Sequence, residues 1–195
     1  MMNNSLIGVV LCGGDSTRMG RDKGLIRQRN ISWAEQAFQK LQQLTSEVYV
    51  SINARQAAEY GKIFLPDRLI IDSVESMGPL TGLLSVHKRM PECDIFLLAC
   101  DMVNMDVEMM KALSESYKKF STQHDFYVYT NAGKYEPLAG IYRSEGIKRV
   151  LSEIENTSFG KRSMKHVLET GKTFAIEISD HSKAANVNSL SDLQK

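Results

Sequence analysis

Glycines and cations crowd one short stretch of this chain. Gly13 and Gly14 break an apolar run, and Asp15, Ser16, Thr17, Arg18, Gly20, Arg21, Asp22 and Lys23 follow within a few positions. Residues without a Cβ let backbone N–H groups approach a ligand closely, and successive N–H groups make a concavity for anions. Arg18 can grip a phosphate with two parallel hydrogen bonds, whereas Lys23 supplies a mobile point charge. Together these groups suit a nucleoside triphosphate. The plainer reading is a strand-to-helix turn whose charges face water. Two common phosphate loops do not fit. A P-loop needs Ser or Thr after its lysine, where this chain has Gly24, and the dinucleotide fingerprint does not begin with adjacent glycines.

A second set of candidates lies further along. Asp101 follows the apolar run DIFLLAC, so its carboxylate would emerge at a cleft rim. Mg²⁺ takes oxygen ligands, often one or two carboxylates with phosphate oxygens and waters, and Asp101 could hold an ion that bridges a triphosphate. Its other use would be to cap the next helix or turn. Asn53 offers both a donor and an acceptor to a nucleotide. Asp72 taken alone is a turn residue. Gly78 and Gly82 would let backbone approach a base or ribose, or simply serve a tight loop onto a helix.

These residues need elements to position them. Leu6 to Cys12 reads as a strand buried on both faces. Ser32 can cap a helix reaching Leu44, with Trp33, Ala34, Ala37, Phe38, Leu41 and Leu44 at helical spacing. Glu47 to Ile52 and Leu69 to Ile71 read as strands, Gly78-Pro79 opens a helix to about Met90, and Asp94 to Cys100 is the strongest strand. A helix from Met105 to Tyr117 follows, then strands at Asp125 to Thr130 and Leu138 to Tyr142, a helix at Ser144 to Leu151, a strand at Thr173 to Ile178, and a closing helix at Ser189 to Gln194. Alternation of this kind predicts one three-layer α/β/α domain spanning the chain, Rossmann-like, with a mainly parallel sheet. Right-handed crossovers would gather the strand C-terminal ends at one edge, where open sheets bind ligands. Gly13, Asn53, Asp72 and Asp101 each follow a strand and should converge there.

Composition narrows the classes. Lys plus Arg number 24 against 23 for Asp plus Glu, which argues against a general nucleic-acid or membrane-surface binder. No apolar run approaches the roughly 20 residues of a membrane span, and no export signal is apparent at the N-terminus. Cys12, Cys93 and Cys100 lack metal-ligand spacing and read as reduced thiols of a cytoplasmic protein. His87, His124, His166 and His181 are scattered, so a core or surface role is expected for each.

The stretch LCGGDSTRMGRDKGL resembles the signature loop of the molybdenum cofactor guanylyltransferases, Leu-Ala-Gly-Gly-x-x-x-Arg-Met-Gly-x-Asp-Lys. Cys12 stands where that family usually has Ala. LLACDM resembles the family's strand with its magnesium-binding Asp. Asp72 with the following Gly-Pro-Leu-x-Gly matches a nucleotide-contacting segment, and the family's strand-end Asn aligns with either Asn53 or Ser51. NVNSLSDL resembles the family's Asn-x-Asn motif near the pterin site, and Glu136-Pro137-Leu138 its acceptor-side Pro-Leu segment. Asn186 and Asn188 would share one side of an extended segment, although a helix-entry turn accounts for them too.

The resemblance implies an enzyme of the nucleotidyltransferase fold, with a GTP-binding N-terminal half and an acceptor-binding C-terminal half. It would join GMP from GTP to molybdenum-bearing molybdopterin and release pyrophosphate. Implied nucleotide or pterin contacts are Leu11, Cys12, Gly13, Gly14, Lys23, Asn53, Asp72, Gly78, Asp101, Asn186 and Asn188. Arg18, Lys23 and Asp101 would carry the chemistry, with Mg²⁺ on Asp101. GTP and the molybdenum cofactor are the implied partners, with molybdoenzymes or other cofactor-biosynthesis proteins downstream. A cytidylyltransferase acting on the same pterin or on a sugar phosphate shares the loop. A non-catalytic adaptor that delivers the cofactor would share the nucleotide site.

Overall fold

A short run of apolar residues with no polar interruption suits a strand whose two faces are both covered, and two such strands form the centre of this molecule. A computed structural model describes residues 4–13, 22–74, 77–120, 123–156 and 162–178. In chain order the elements are β1 (Leu6–Leu11), β2 (Arg27–Gln28), β3 (Ile31–Ser32), α1 (Trp33–Gln42), β4 (Val48–Ile52), α2 (Ala57–Tyr60), β5 (Leu69–Ile71) and α3 (Pro79–Arg89). They continue with β6 (Asp94–Ala99), α4 (Val107–Phe120), β7 (Phe126–Asn131), β8 (Lys134–Tyr142), α5 (Ser144–Glu155), α6 (Met164–Thr170) and β9 (Thr173–Glu177).

Seven strands form one sheet in the order β5-β4-β1-β6-β8-β7-β9, and β2 and β3 form a separate small ribbon. The pairs β1·β4, β1·β6, β4·β5 and β7·β9 are parallel, while β8 runs antiparallel to β6 and β7. The expected α/β architecture with a mainly parallel sheet is therefore present. From β1 the chain moves outward to β4 and β5, then returns to place β6 on the other side of β1. That reversal is the topological switch point, where open sheets form a crevice at the strand C-terminal ends.

Alternating residues of β1 face opposite layers. Gly8 lies against Leu41 and Thr45 at the end of α1, whereas Leu11 meets Gly82 of α3. Helix α1 starts where expected: the Ser32 hydroxyl accepts from the Glu35 N–H, and the Glu35 carboxylate accepts from the Ser32 N–H. This reciprocal cap satisfies two otherwise unpaired helix N–H groups. Trp33, Ala34, Ala37 and Leu41 form its buried face. Helix α3 opens on Gly78, whose φ of 63° lies in the left-handed region that glycine adopts without strain. His87 is buried on that helix, and burial lowers its pKa.

The β2–β3 ribbon, α2 and α6 were not anticipated; the elements that were agree with the sequence reading to within a few residues, except at β7–β8. Leu138 to Tyr142 is only the end of a longer strand, β8, joined to β7 by a tight hairpin with Ala132 and Gly133 both at positive φ. Pairing then skips from Val128–Gly140 to Tyr129–Glu136, which leaves Pro137 inside the irregularity. A proline, lacking an N–H, is tolerated at such a point. The predicted helix at 189–194 lies outside the described residues.

Candidate active site

The C-terminal ends of β1, β4, β5 and β6 meet at one edge, as the convergence of Gly13, Asn53, Asp72 and Asp101 requires. Register sets the arrangement: Leu11 pairs with Ser51 on one side and Ala99 on the other. Beyond the last pairs, the Cys12 and Gly13 N–H groups both donate to the Ser51 carbonyl, at 2.9 and 3.1 Å, and Cys100 N–H donates to the Leu11 carbonyl at 3.1 Å. A Cβ at Gly13 would lie 2.9 Å from the Asp72 carboxylate and 3.8 Å from the Asn53 nitrogen. Glycine is needed here because these two strand ends close on it.

Lys23 comes from the first βα connection and Asp101 from the end of β6. Their side chains meet at 3.0 Å, both mostly shielded from solvent. Two groups far apart in the sequence thus form a charged pair at the switch point. Glu136 of β8 adds negative charge nearby. Its carboxylate accepts the Leu138 N–H at 3.0 Å. Burial raises its pKa, the Leu138 bond partly opposes that rise, and the charge of Asp101 adds to it.

Asp22 is held on several sides. Its Oδ1 accepts from the Gly24 N–H and the Tyr60 hydroxyl, each at 2.9 Å, and its Oδ2 accepts from Gln56 Nε2 at 2.6 Å. The Gly24 bond caps the 3-10 turn Lys23–Leu25. Tyr60 is fully buried, and burial pushes its hydroxyl well above the usual tyrosine range.

On the β4–β5 side, the buried Ser51 hydroxyl donates to Asp72 Oδ1 at 3.1 Å. Burial raises the Asp72 pKa and this bond partly counters it. Asn53 is the N-cap of a short 3-10 turn, its Oδ1 accepting the Arg55 N–H at 3.0 Å. The Met77 N–H donates to the Thr81 hydroxyl at 2.6 Å, and the Thr81 N–H to the Gly78 carbonyl at 3.0 Å. A Cβ at Gly78 would meet nothing within 4 Å, so that glycine answers its backbone angle rather than crowding. Gly82 instead yields space to Leu11 and Ser51.

Sequence reasoning brought Leu11, Cys12, Gly13, Lys23, Asn53, Asp72, Gly78 and Asp101 to this edge. Gly14, Arg18, Asn186 and Asn188 lie outside the described residues. Gln56 and Tyr60 were missed. The spacing of Asn53 and Gln56 is that of a capping box, a signal that could have exposed Gln56.

Among the described residues, no three His, Cys, Asp or Glu side chains gather closely enough to cage a metal. Among the carboxylates at the cleft, Asp101 offers hard oxygen donors that fit Mg²⁺, which commonly takes few protein ligands and completes its shell with phosphate oxygens and water. No helix among the described residues is long and apolar enough to cross a membrane.

A doubly wound sheet whose switch point carries a glycine at a strand end, a lysine and an acid offers the charges and close backbone approach that phosphate chemistry uses. The chain belongs to the family described as the MobA-like NTP transferase domain, whose model matches residues 8–174. A molybdenum cofactor guanylyltransferase of Pasteurella multocida is 28% identical over 99% of this chain and 100% of its own length. A probable molybdenum cofactor guanylyltransferase of Nostoc is 25% identical over 97% of this chain and 89% of its own. The solved structure of molybdopterin-guanine dinucleotide biosynthesis protein A from Archaeoglobus fulgidus superposes with a TM-score of 0.73 at 18% identity, covering 96% of this chain and 95% of that one. The bifunctional IspDF of Campylobacter jejuni gives 0.72 at 14% identity, covering 97% of this chain and 53% of that one.

Proposed function

We propose that this enzyme transfers GMP from GTP to molybdenum-bearing molybdopterin, forming the guanine dinucleotide cofactor and pyrophosphate. The full-length relatives named guanylyltransferases support this substrate pair. The observation that carries the nucleotide chemistry is the Lys23–Asp101 pair at the switch point. An oxygen of the pterin's terminal phosphate attacks the α-phosphorus of GTP. The bond from that phosphorus to the bridging oxygen of the β-phosphate breaks, and pyrophosphate leaves with the electron pair. No protein nucleophile is needed, so catalysis consists of positioning and charge neutralisation.

In this reading Lys23 binds phosphate oxygens, and Arg18 steadies the departing pyrophosphate. Asp101 holds Mg²⁺, which when bound supplies Lewis-acid neutralisation of the phosphates. Leu11, Cys12, Gly13 and Gly14 line the nucleotide at the strand end. Because the Cys12 and Gly13 N–H groups already donate to Ser51, those two residues contribute shape there. Asp72, Asn53 and Gly78 flank the base and ribose. Asn186, Asn188 and the C-terminal half serve the pterin.

The test supplies the protein with Mg²⁺, molybdopterin and each of GTP, CTP, ATP and UTP, then identifies the dinucleotide by mass. Guanine dinucleotide as the dominant product is expected. A cytosine dinucleotide in its place would make the enzyme a cytidylyltransferase, and GTP binding without pyrophosphate release would make it an adaptor.

A further inference from the structure

Cys12 lies just past β1 and Asp22 is where the described chain returns, and one side-chain amide holds both. Gln56 Nε2 donates to the Cys12 carbonyl at 2.9 Å and to Asp22 Oδ2 at 2.6 Å, while Gln56 Oε1 accepts the Asn53 N–H at 2.8 Å. Both protons of the amide nitrogen are therefore used, and its oxygen is anchored to the main chain beyond β4. The strand end and the return point lie within hydrogen-bond reach of a single nitrogen.

That return point governs Lys23. Asp22 immediately precedes it, and Asp22 Oδ1 caps the turn Lys23–Leu25 through the Gly24 N–H. Tyr60 holds the same carboxylate oxygen from α2. The direction in which Lys23 leaves the backbone, toward Asp101 at 3.0 Å, is thereby set by where Gln56 and Tyr60 place Asp22. A displacement of about 1 Å in such a group can lower rates on the order of a hundredfold.

We propose that Gln56 is a positioning residue for the transfer reaction, acting through Asp22 to aim the Lys23 ammonium at the nucleotide phosphates. The proposal rests on the nucleotidyltransferase reading above and assigns to Gln56 no contact with substrate. Only a neutral amide serves at this place. In Gln56→Glu an oxygen replaces Nε2 and faces two acceptors, the Cys12 carbonyl and the Asp22 carboxylate. The protonated acid can donate to one of them, and the ionised form to neither. A neighbouring carboxylate also raises the new group's pKa, so the defect grows as pH rises.

The experiment measures kcat and both KM values for wild type, Gln56→Ala, Gln56→Glu and Gln56→Glu combined with Asp22→Asn. Circular dichroism melting of each protein is recorded alongside. At pH 8 the KM for GTP is expected to rise about tenfold or more in both single variants, with the pterin KM within about twofold of wild type. For Gln56→Glu the ratio of its GTP KM to that of wild type should fall toward pH 5.5. In the double variant the amide introduced at position 22 can donate to the carboxylate introduced at position 56. Its own oxygen still accepts from Gly24 and Tyr60, so the GTP KM should return to within about threefold of wild type. A role confined to the fold would reduce the amount of active enzyme, lowering apparent kcat in step with the folded fraction, leaving both KM values in place and showing no recovery in the double variant. That outcome overturns the proposal. So does an unchanged GTP KM in folded variants, or loss of the folded spectrum in all three. Absence of product from wild type with GTP would overturn the parent reading as well, whereas product from wild type with unaffected variants overturns this proposal alone.

Discussion

Strand β6 carries an aspartate at each end, and the two are used in opposite ways. Asp94, at its start, is 2% exposed and tied on every side. It accepts from the Ser144 N–H at 2.8 Å, Asn4 Nδ2 at 3.2 Å and the Tyr117 hydroxyl at 2.7 Å, with Arg143 Nε at 3.7 Å. Burial and that hydrogen bond to Asp94 hold the Tyr117 hydroxyl well above its ordinary range. Asp94 thus joins the N-terminal segment, α4 and the start of α5. Asp101, just past the other end, meets a flexible lysine at the cleft. One residue type serves cohesion at the closed edge and, in the proposed mechanism, chemistry just past the open one. Strand polarity separates the two, because α/β sheets collect ligands at their C-terminal ends.

Four substitutions break or sharpen this contrast, in descending order of effect. Asp101→Ala should lower GTP-dependent transfer about a thousandfold, comparable to other losses of transition-state charge stabilisation, while its melting curve stays near that of wild type. Normal turnover would remove Asp101 from the mechanism. Asp94→Ala should do the reverse. It leaves Arg143 and the buried Tyr117 without their partner and is expected to destabilise by about 3 kcal/mol in chemical denaturation. Its kcat/KM at a temperature where it remains folded should stay within about threefold of wild type. Lys23→Ala should raise the GTP KM or slow transfer by roughly thirtyfold, since a charge-assisted phosphate contact contributes about 2 kcal/mol. Unchanged steady-state kinetics would refute that role.

The smallest effect concerns pH. Burial holds the Asp72 carboxyl above the usual range, so the folded state takes up this proton at higher pH than the unfolded chain does. Its contribution is most favourable below the unfolded pKa and declines as pH rises through the folded one. Asp72→Asn should therefore melt slightly higher than wild type at pH 7, and the difference should vanish near about pH 3. A constant difference across that range would contradict burial as the cause.

Much of this was legible in the chain. The runs before Gly13 and Asp101 are apolar without a break, which leaves a covered parallel sheet as the natural home for both. Polar residues just past such strands must then meet, and Gly13, Asp72 and Asn53 do. Other features were hidden for identifiable reasons. The β7–β8 hairpin turns on Ala132 at φ 51°, where the recognisable signal would be Asn or Gly. Without that hairpin, Glu136 could not be placed beside Asp101. Gln56 stands at capping-box spacing from Asn53, but its contacts with Cys12 and Asp22 come from what folds against it. Short α6, Met164–Thr170, carries too few turns for its periodicity to stand out.

The 3.0 Å contact between Lys23 and Asp101 also bears on the form in which a ligand can be welcomed. A bare anion that draws the ammonium toward itself leaves a mostly shielded carboxylate with no counter-charge, an expensive arrangement in a poorly solvated crevice. An anion that travels with its own cation avoids this, because each member of the resident couple finds a replacement at once. In the proposed mechanism the strand edge therefore favours a salt over the same molecule arriving stripped.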